Sequence, residues 1–455
     1  MIRKYFIAAL LCIAIVWNGP AFAWSEHALG AYPALGALPE IADAGDIRVE
    51  RFEDFLRAEQ AGLVEVLKEQ EQWARENMSA YAPLPAEFEF QVGPDGESDA
   101  DLRQRFLQAL RVHPGVRLEY YVQLLPGRKC VNRPRLSHLK VSVFSEANSG
   151  SLARLRFCAL RPGGAVSPLE VAATAIDEPD FGHDINLWED SPSEFGPTFN
   201  FGNLSFGDPK LYYATQAPFH MGFYHESWLL YAVAGFIKRT YPDYRTRLYE
   251  RLARYAFETG HDYWGYRFMG WGLHYVTDLT QPYHATVVPG LSTAYMLWIN
   301  FIATIGFTEA KDDAIQLVSN RHTALEEFQM QMMHRAYRKE LEDPEAAPNP
   351  VIAAATRTEL DAATPPYDDD YFRDVLSAES HAQADMIDEA LSAYMPPEFV
   401  NDPDYRFSAG QRGEVYNEVA KNRKDAVEKM NKALIQLFER FGVHSRAYAR
   451  SILAR

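Results

Sequence analysis

The chain has 455 residues, with 45 Lys and Arg against 62 Asp and Glu, so its formal net charge is −17. Its composition, 47% hydrophobic and 24% charged, is that of a globular protein and excludes a wholly disordered, collagen-like or coiled-coil chain. The negative charge also argues against a protein that binds duplex nucleic acid through many phosphate contacts. The length is enough for about two or three domains.

The first 23 residues predict a signal for export. Arg3 and Lys4 precede an apolar stretch, Tyr5–Val16, and Ala21–Ala23 has the small-x-small pattern of a cleavage site. The apolar stretch is shorter than the roughly 20 residues that a membrane-spanning helix needs. We therefore expect cleavage after this segment, a mature chain that begins at Trp24, and a periplasmic or secreted protein. An uncleaved anchor is the alternative.

Export has a consequence for the two cysteines that remain, Cys130 and Cys158. Both lie near strand-like segments, and in an oxidising compartment they can form a structural disulfide. Two buried thiols are the alternative.

The spacing of apolar residues predicts a mainly α-helical bundle that carries a small α+β insertion. The predicted elements, in chain order, are a helix over 51–78, a helix over Asp99–Val112, strands over Val116–Leu125, His138–Phe144 and Ala153–Leu160, aromatic-rich helices from Ala217 to about Arg338, an irregular proline-rich stretch over 340–367 and amphipathic helices over 368–455. The corresponding division of the chain is a signal peptide (1–23), an N-terminal segment and helix (24–83), the α+β insertion (84–176), a helical metal-binding catalytic core (177–345) and a C-terminal linker with helices (346–455).

The segment Leu291–Phe307 contains no charged residue. Its 17 residues are at the lower limit for a membrane span. We interpret it as a buried helix of the bundle. A lid or lipid-contacting element that touches a membrane transiently is the second interpretation, and a true span is the third.

Two histidine–carboxylate pairs at helical spacing carry the strongest chemical signal. His274 and Asp278 are four residues apart, so both lie on one face of a helix, where they can bind a single zinc ion. His284 follows six residues after Asp278, and the intervening proline predicts a kink that redirects it. A second pair of the same spacing, His322 and Glu326, comes later in the chain. One such pair is also a common surface ion pair, but the combination is much more specific.

These motifs resemble the superfamily of zinc-dependent phospholipases C and single-strand zinc nucleases. The resemblance is carried by Trp24 as the mature N-terminus, by GLHYVTDLTQPYH at 272–284 and by HTALE at 322–326. It covers the N-terminal residues and roughly 177–340, and it implies a largely α-helical fold with three zinc ions in a cleft.

The resemblance also implies a set of metal ligands. Trp24 would bind one zinc ion through its α-amine and carbonyl, helped by His27 and by Asp278, which bridges to a second zinc ion. His274 and Asp278 would hold the second ion together with a further Asp and a further His, for which we favour Asp180 and His220. The remaining alternatives are Asp184 and His225. The third ion would be held by the set that comes last in the sequence, His284, His322 and Glu326.

Such a site would support the hydrolysis of a phosphodiester. Water held between two zinc ions ionises near neutral pH, and the hydroxide would attack phosphorus while Asp180 orients it. We therefore predict an exported zinc-dependent phosphodiesterase, with His274, Asp278 and Asp180 in the catalytic machinery and a phospholipase C-like activity on phospholipid favoured. The alternatives are a single-strand nuclease or nucleotidase of the same fold and a non-catalytic zinc-bound binding protein.

Aromatic residues near these motifs bear on the choice of substrate. They can cage a quaternary ammonium, stack on an unpaired base, or simply fill the core, which is the commonest role of helical aromatics. The residues concerned are Phe219, Phe223, Tyr224, Tyr263, Trp264, Tyr266, Trp271 and Tyr283.

Overall fold

The computed structural model describes residues 26–146 and 152–454. The predicted signal peptide and Trp24 lie outside these residues. The described chain is mainly helical, with 60% helix and 3% strand, as the sequence predicts. Within these ranges, no helix has both the length and the apolar character needed to cross a bilayer.

The α-helices are numbered in chain order. They are α1 (Ala28–Gly36), α2 (Pro39–Ala42), α3 (Phe52–Asn77), α4 (Asp99–Ala109), α5 (Pro168–Ala175), α6 (Ala217–His220), α7 (Trp228–Val233), α8 (Pro242–Glu258), α9 (Asp262–Asp278), α10 (Pro282–Ala285), α11 (Thr293–Thr304), α12 (Glu309–Glu342), α13 (Pro350–Ala355), α14 (Ala378–Ala382), α15 (Ala384–Tyr394), α16 (Pro397–Val400), α17 (Ala409–Arg412), α18 (Val415–Asn422) and α19 (Ala426–Leu453).

The strands are short and form two small antiparallel sheets. They are β1 (Ile47–Arg48), β2 (Tyr121–Gln123), β3 (Arg135–Leu136), β4 (Phe157–Ala159) and β5 (Ala165–Val166). One sheet pairs β1 with β5, and the other has the order β2-β4-β3. Val122 and Arg135 both pair with Cys158, on opposite sides of β4.

The core is built around α9, whose residues from Tyr263 to Asp278 are all buried. It packs against α5, α8 and α19. A Cβ atom at Gly270 would lie 2.5 Å from Cβ of Ala175 and 2.7 Å from the carbonyl oxygen of Ala172, so only glycine permits this close approach of α9 to α5. This approach places the C-terminal end of α5 next to the C-terminal half of α9, where the candidate site lies.

The predicted helices over 51–78 and from Asp99 onward are confirmed as α3 and α4. Ser98 caps α4 by accepting a hydrogen bond from the backbone N–H of Asp101 at 3.1 Å. Cys130 and Cys158 form a disulfide with a Cα–Cα distance of 5.7 Å, as expected.

Two predicted elements are wrong. The strand expected over His138–Phe144 is instead a 3-10 turn, His138–Lys140, capped by the Ser137 hydroxyl, and β3 lies just before it. The helix of Leu291–Phe307, α11, is not buried: Trp298 and Phe301 are 57% and 58% exposed. Only Met296 and Ile299 on its inner face are buried, because one side of this short helix packs on the protein and the other has no neighbour within the described chain.

A half-buried histidine in the loop after α4 gives the protein a pH-dependent stability. The Nδ1 atom of His113 accepts a hydrogen bond from the Gly115 N–H at 2.9 Å, and its ring packs edge-on against Phe195. Burial, reinforced by Arg117, lowers the pKa of His113 to about 4.

We expect His113→Asn to reduce the loss of stability in acid. Because the pKa of His113 is about 4 in the folded protein and 6.5 in the reference state, the unfolded chain binds more protons between these values. The free energy of unfolding therefore falls as the pH drops below 6.5, by about 2 kcal/mol from this group between pH 7.5 and pH 5. Urea unfolding of both proteins at pH 7.5 and 5, in the same metal state, measures the difference. An equal acid loss in both proteins would contradict this role.

Candidate metal centre

Histidine and carboxylate side chains from widely separated segments meet in the interior. Their potential ligand atoms form three groups, and within each group these atoms lie within 4.8 Å of one another. The groups are His27, Asp180 and His274; His220, His274 and Asp278; and His284, His322 and Glu326. All of these residues are buried, and the first two groups share His274.

Asp278 lies between histidines from three parts of the chain. Its Oδ1 atom is 3.3 Å from Nε2 of His27. Its Oδ2 atom is 2.9 Å from Nδ1 of His220 and 3.4 Å from Nε2 of His274, which lies one turn earlier on α9. The two oxygens of one carboxylate therefore face different imidazoles, as a bridging carboxylate does.

Asp180 approaches the same histidines from the opposite side, on the short 3-10 turn Pro179–Phe181. Its Oδ1 atom is 3.7 Å from Nε2 of His274 and 3.9 Å from Nδ1 of His220, and its Oδ2 atom is 3.9 Å from Nε2 of His27. These separations are longer than hydrogen bonds. The Asp180 side chain is 8% exposed, whereas the side chains of Asp278 and His274 are fully buried.

The third group joins α10 to α12. On α12, Nε2 of His322 lies 2.7 Å from Oε1 of Glu326, one helical turn later. His284 Nε2 is 3.2 Å from the same His322 nitrogen. Helix α9 ends at Asp278 and α10 restarts with Pro282 in its first turn, so the chain changes direction and points His284 at α12.

Backbone carbonyls fix the ring orientation of two of these histidines. The Nδ1–H of His274 donates to the carbonyl of Ile176, and the Nδ1–H of His284 donates to the carbonyl of His220, each at 2.7 Å. A carbonyl oxygen can only accept, so Nδ1 carries the proton in both rings and the lone pair of Nε2 points into the cluster. This arrangement is typical of histidines that bind metal ions.

Buried carboxylates at the edge of the cluster have arginine partners. Asp184 Oδ1 accepts hydrogen bonds from Nε and Nη2 of Arg245 at 2.9 and 2.6 Å, and its Oδ2 atom is 3.5 Å from Nε2 of His220. Glu178 forms a two-point pair with Arg267, with both distances 2.9 Å. The negative charges of Asp184 and Glu178 are therefore neutralised by arginine side chains of the protein itself.

The carboxylates inside the cluster have no such partner. Among the described residues, no Lys or Arg lies within 4.0 Å of Asp180, Asp278 or Glu326 as an ion pair, and the charged or titratable partners within that distance are histidines; Arg412 acts on Glu326 from farther away. Burial raises the pKa of Asp180 to about 7 and raises that of Glu326 well above its usual range. Burial also acts on Asp278, but the nearby His274 and His220 outweigh it and hold its pKa well below its usual range.

The histidines of the cluster also differ from one another in the direction in which their pKa values are shifted. Burial lowers the pKa of His284 to about 4 and that of His274 well below its usual range, so both rings are neutral, as metal ligands must be. Burial also acts on His220, but Asp278 outweighs it and raises its pKa to about 10. In the absence of another cation, protonated His220 thus neutralises part of the buried negative charge. The groups can hold metal ions, and divalent cations would replace these protons.

The structure brings together all the described side chains that the sequence singled out as ligands. Of the two alternatives, Asp184 lies at the edge of the cluster, outside the three donor groups, and forms an ion pair with Arg245. His225 is outside the three donor groups, and its Nε2 atom donates to the carbonyl of Arg373 at 2.7 Å. Trp24 lies outside the described residues.

Some residues that shape the site were not anticipated. His27 Nδ1 is 2.7 Å from Oγ1 of Thr277, and the Ile176 carbonyl orients His274. Thr277 lies inside the motif, so its position next to Asp278 was a usable signal. A carbonyl contact across 98 residues leaves no pattern in the sequence.

The aromatic residues near the motifs are core residues, with one half-buried exception, Tyr224. They therefore offer no platform on which unpaired bases can stack. Phe219 and Trp264, for example, are completely buried.

In comparisons with known proteins, no family model matches the chain, and no curated protein or solved structure is significantly similar to it.

We expect His220→Ala to bind fewer metal ions per chain than the parent protein, because it removes one donor of the group around Asp278. His225→Ala is the matched control, since this nearby histidine lies outside the donor groups. Elemental analysis of the purified, folded proteins measures the metal content, and circular dichroism verifies folding. Equal metal content in the parent and His220→Ala, or a loss confined to His225→Ala, would show that His220 is not a ligand.

Proposed function

We propose that this protein is an exported zinc-dependent phosphodiesterase with a phospholipase C-like activity. The observation that carries the proposal is the set of three buried carboxylates, Asp180, Asp278 and Glu326, each of which lies next to histidines and has no Lys or Arg ion pair within 4.0 Å among the described residues. An ionised carboxylate in a protein interior needs a compensating cation, and metal binding supplies one.

The donor atoms fit zinc. Imidazole nitrogens and carboxylate oxygens are both ordinary zinc ligands, and a set of three protein donors leaves a position free for water or substrate. The buried Oδ1 atom of Asp180 has no hydrogen-bond partner among the described residues, and Oδ1 of Asp278 and Nε2 of His27 face each other at 3.3 Å without a well-aligned hydrogen bond, which suits atoms that bind an ion. The resemblance noted in the sequence supports three ions, with the α-amine of Trp24 completing the site of His27.

Bound zinc ions supply Lewis acidity toward a phosphoryl oxygen and make water a stronger nucleophile near neutral pH. The protein's own residues position the attacking water and the metal ligands. Asp180 is the most accessible carboxylate of the cluster, with 8% of its side chain exposed against 4% for Glu326 and none for Asp278. It is therefore the group that can accept a hydrogen bond from the attacking water and orient it. Arg245 keeps Asp184 ionised, and Asp184 in turn faces the outer nitrogen of His220.

A phospholipid is favoured over a nucleic acid as substrate for two reasons. The net charge of −17 repels a polyanion, although a metal cluster can override this locally. Of the eight aromatic residues that the sequence singles out near the motifs, seven are buried and Tyr224 is half-buried, so these eight present no exposed ring on which a base can stack. Single-strand nuclease or nucleotidase activity and non-catalytic zinc binding are the alternatives that the experiment must separate.

We expect Glu326→Gln to lower the rate of phosphodiester hydrolysis by about a hundredfold or more, because loss of an outer partner of a metal site already costs 10- to 100-fold. Glu327→Gln is the matched control: its carboxylate lies 3.9 Å from Arg154 and belongs to no donor group. Both variants and the parent are assayed with short-chain phosphatidylcholine and with a single-stranded oligonucleotide, before and after chelation and zinc readdition.

Each outcome assigns the function. Zinc-dependent hydrolysis of the lipid that Glu326→Gln abolishes and Glu327→Gln retains supports the proposal. Hydrolysis of the oligonucleotide alone would favour the nuclease, and bound zinc without turnover of either substrate would favour a binding protein.

The N-terminus offers a separate test. A single additional residue ahead of Trp24 converts the α-amine into an amide, which is a poor metal ligand. We expect this extended protein to bind fewer zinc ions and to hydrolyse substrate more slowly than the protein that begins at Trp24. The measurement is zinc content per chain by elemental analysis, and an unchanged content would exclude this role of the amine.

A further inference from the structure

Exposed apolar residues are concentrated on one surface of the protein. Seven of the ten large hydrophobic side chains that are exposed in the described residues belong to α7, to α11 or to the turn that follows α11. They are Trp228 (76%), Leu229 (40%), Tyr295 (44%), Trp298 (57%), Phe301 (58%), Ile305 (60%) and Phe307 (67%). We call these seven residues the aromatic surface.

Helices α7 and α11 contact each other and together form one surface. Leu230 of α7 and Met296 of α11 are buried in the same small hydrophobic cluster, so the helices present their outer faces side by side. On α11, the exposed Tyr295, Trp298 and Phe301 follow one another at intervals of three residues. The rings of Trp298 and Phe301 lie 6.2 Å apart between centroids. Monomeric proteins seldom expose such a patch without a partner.

The two segments that carry the aromatic surface contain no acidic residue, although the protein as a whole is acidic. The chain carries a net charge of −17, yet residues 228–239 contain no acid and residues 291–307 contain no charge. The two charged residues in these stretches, Lys238 and Arg239, are both basic. Lys238 is exposed, and its Nζ atom lies 4.4 Å from the ring centroid of Tyr231 without a carboxylate within 4.0 Å in the described chain.

This combination matches the interface of a lipid layer. Trp and Tyr side chains prefer the headgroup region, Phe and Leu reach the acyl boundary, and a lysine at the rim can pair with a lipid phosphate. The aromatic surface is also connected to the metal centre. Val287 and Val288, which follow His284 closely, pack on the same cluster as Leu230, and the backbone N–H of Gly222 donates to the carbonyl of His284 at 2.9 Å.

We propose that the aromatic surface docks the protein onto the surface of zwitterionic phospholipid, with the segment that carries His284 on the lipid-facing side of the protein. This inference rests on the proposed function for its substrate class, and it adds the physical form of the substrate: lipid in a layer rather than lipid dissolved as monomers. The binding itself requires no hydrolysis and can be tested separately.

The test compares the full mature protein with the double variant Trp298→Ser/Phe301→Ser. Flotation with phosphatidylcholine vesicles measures the partition coefficient, which we expect to fall about tenfold or more, because two large apolar groups no longer leave water. Trp228→Ser, on the other helix, is expected to weaken binding independently. Val131→Ser is the matched control, since Val131 is 74% exposed but lies outside the aromatic surface.

Hydrolysis provides a second readout. We expect the double variant to lose rate on vesicles by the same factor as it loses binding, and to keep the parent's rate on monomeric short-chain phosphatidylcholine. Because the substituted side chains are exposed, circular dichroism and the thermal midpoint should stay close to those of the parent.

The alternatives lead to different results. A parent protein that does not float with vesicles, or a double variant that floats equally well, overturns the proposal. A parent dimer that the double variant splits, without vesicle binding, would assign the aromatic surface to a second copy of the chain. Vesicle binding that depends on this surface but is accompanied by no phosphoester hydrolysis would leave the docking intact and refute the proposed function.

Discussion

A carboxylate that stays ionised inside a protein needs a positive partner, and this requirement organises the centre of the molecule. The protein meets it in two different ways. Asp184 and Glu178, at the edge, have permanent arginine partners. Asp180 and Asp278, inside, are faced only by histidines. A permanent arginine at the inner position would make the site inert, whereas imidazoles can exchange a proton for a metal ion. The division between the two layers therefore separates carboxylates that the protein itself neutralises from carboxylates that can hold a metal ion.

The geometry of the inner layer depends on how closely α5 and α9 approach. Gly270 allows α9 to contact the backbone of Ala172, and this brings the Ile176 carbonyl, at the end of α5, within 2.7 Å of His274. That contact fixes the tautomer of the ring and directs Nε2 toward Asp278. A side chain at the glycine would push the helices apart, so a packing constraint four residues from the nearest donor residue of α9, His274, fixes the tautomer of that histidine. In the same way, the backbone carbonyl of His220 accepts a hydrogen bond from Nδ1–H of His284 and fixes the tautomer of that ring.

The parts of the site that lie on regular helices could be predicted from the sequence, because four-residue spacing fixes which side chains share a face. His274 with Asp278 and His322 with Glu326 follow this rule. Asp180 and His220 lie on a 3-10 turn and on the last residue of a four-residue helix, where spacing does not determine direction. The sequence therefore left Asp184 and His225 as alternatives to Asp180 and His220.

The strand predicted over His138–Phe144 is wrong for a related reason: Ser137 caps a turn there, and this local hydrogen bond prevails over strand propensity. The exposure of α11 could not be predicted, since a charge-free helix has the same composition whether its neighbour is protein or lipid.

The unusual distribution of charge in the molecule makes sense if the metal centre and the aromatic surface act together. An acidic protein with a cationic metal centre attracts single phosphate groups into the site while its outer surface repels long polyanions. A surface of α7 and α11 without carboxylates removes that repulsion at one place, and it does so beside the segment that carries His284. A phosphate at the edge of a lipid layer would meet an apolar contact close to the segment that carries His284, with the exposed Lys238 next to α7. A dissolved nucleic acid would gain nothing from the apolar contact and would be repelled by the acidic surface elsewhere. Both the composition of the aromatic surface and its position near the metal centre therefore favour a lipid.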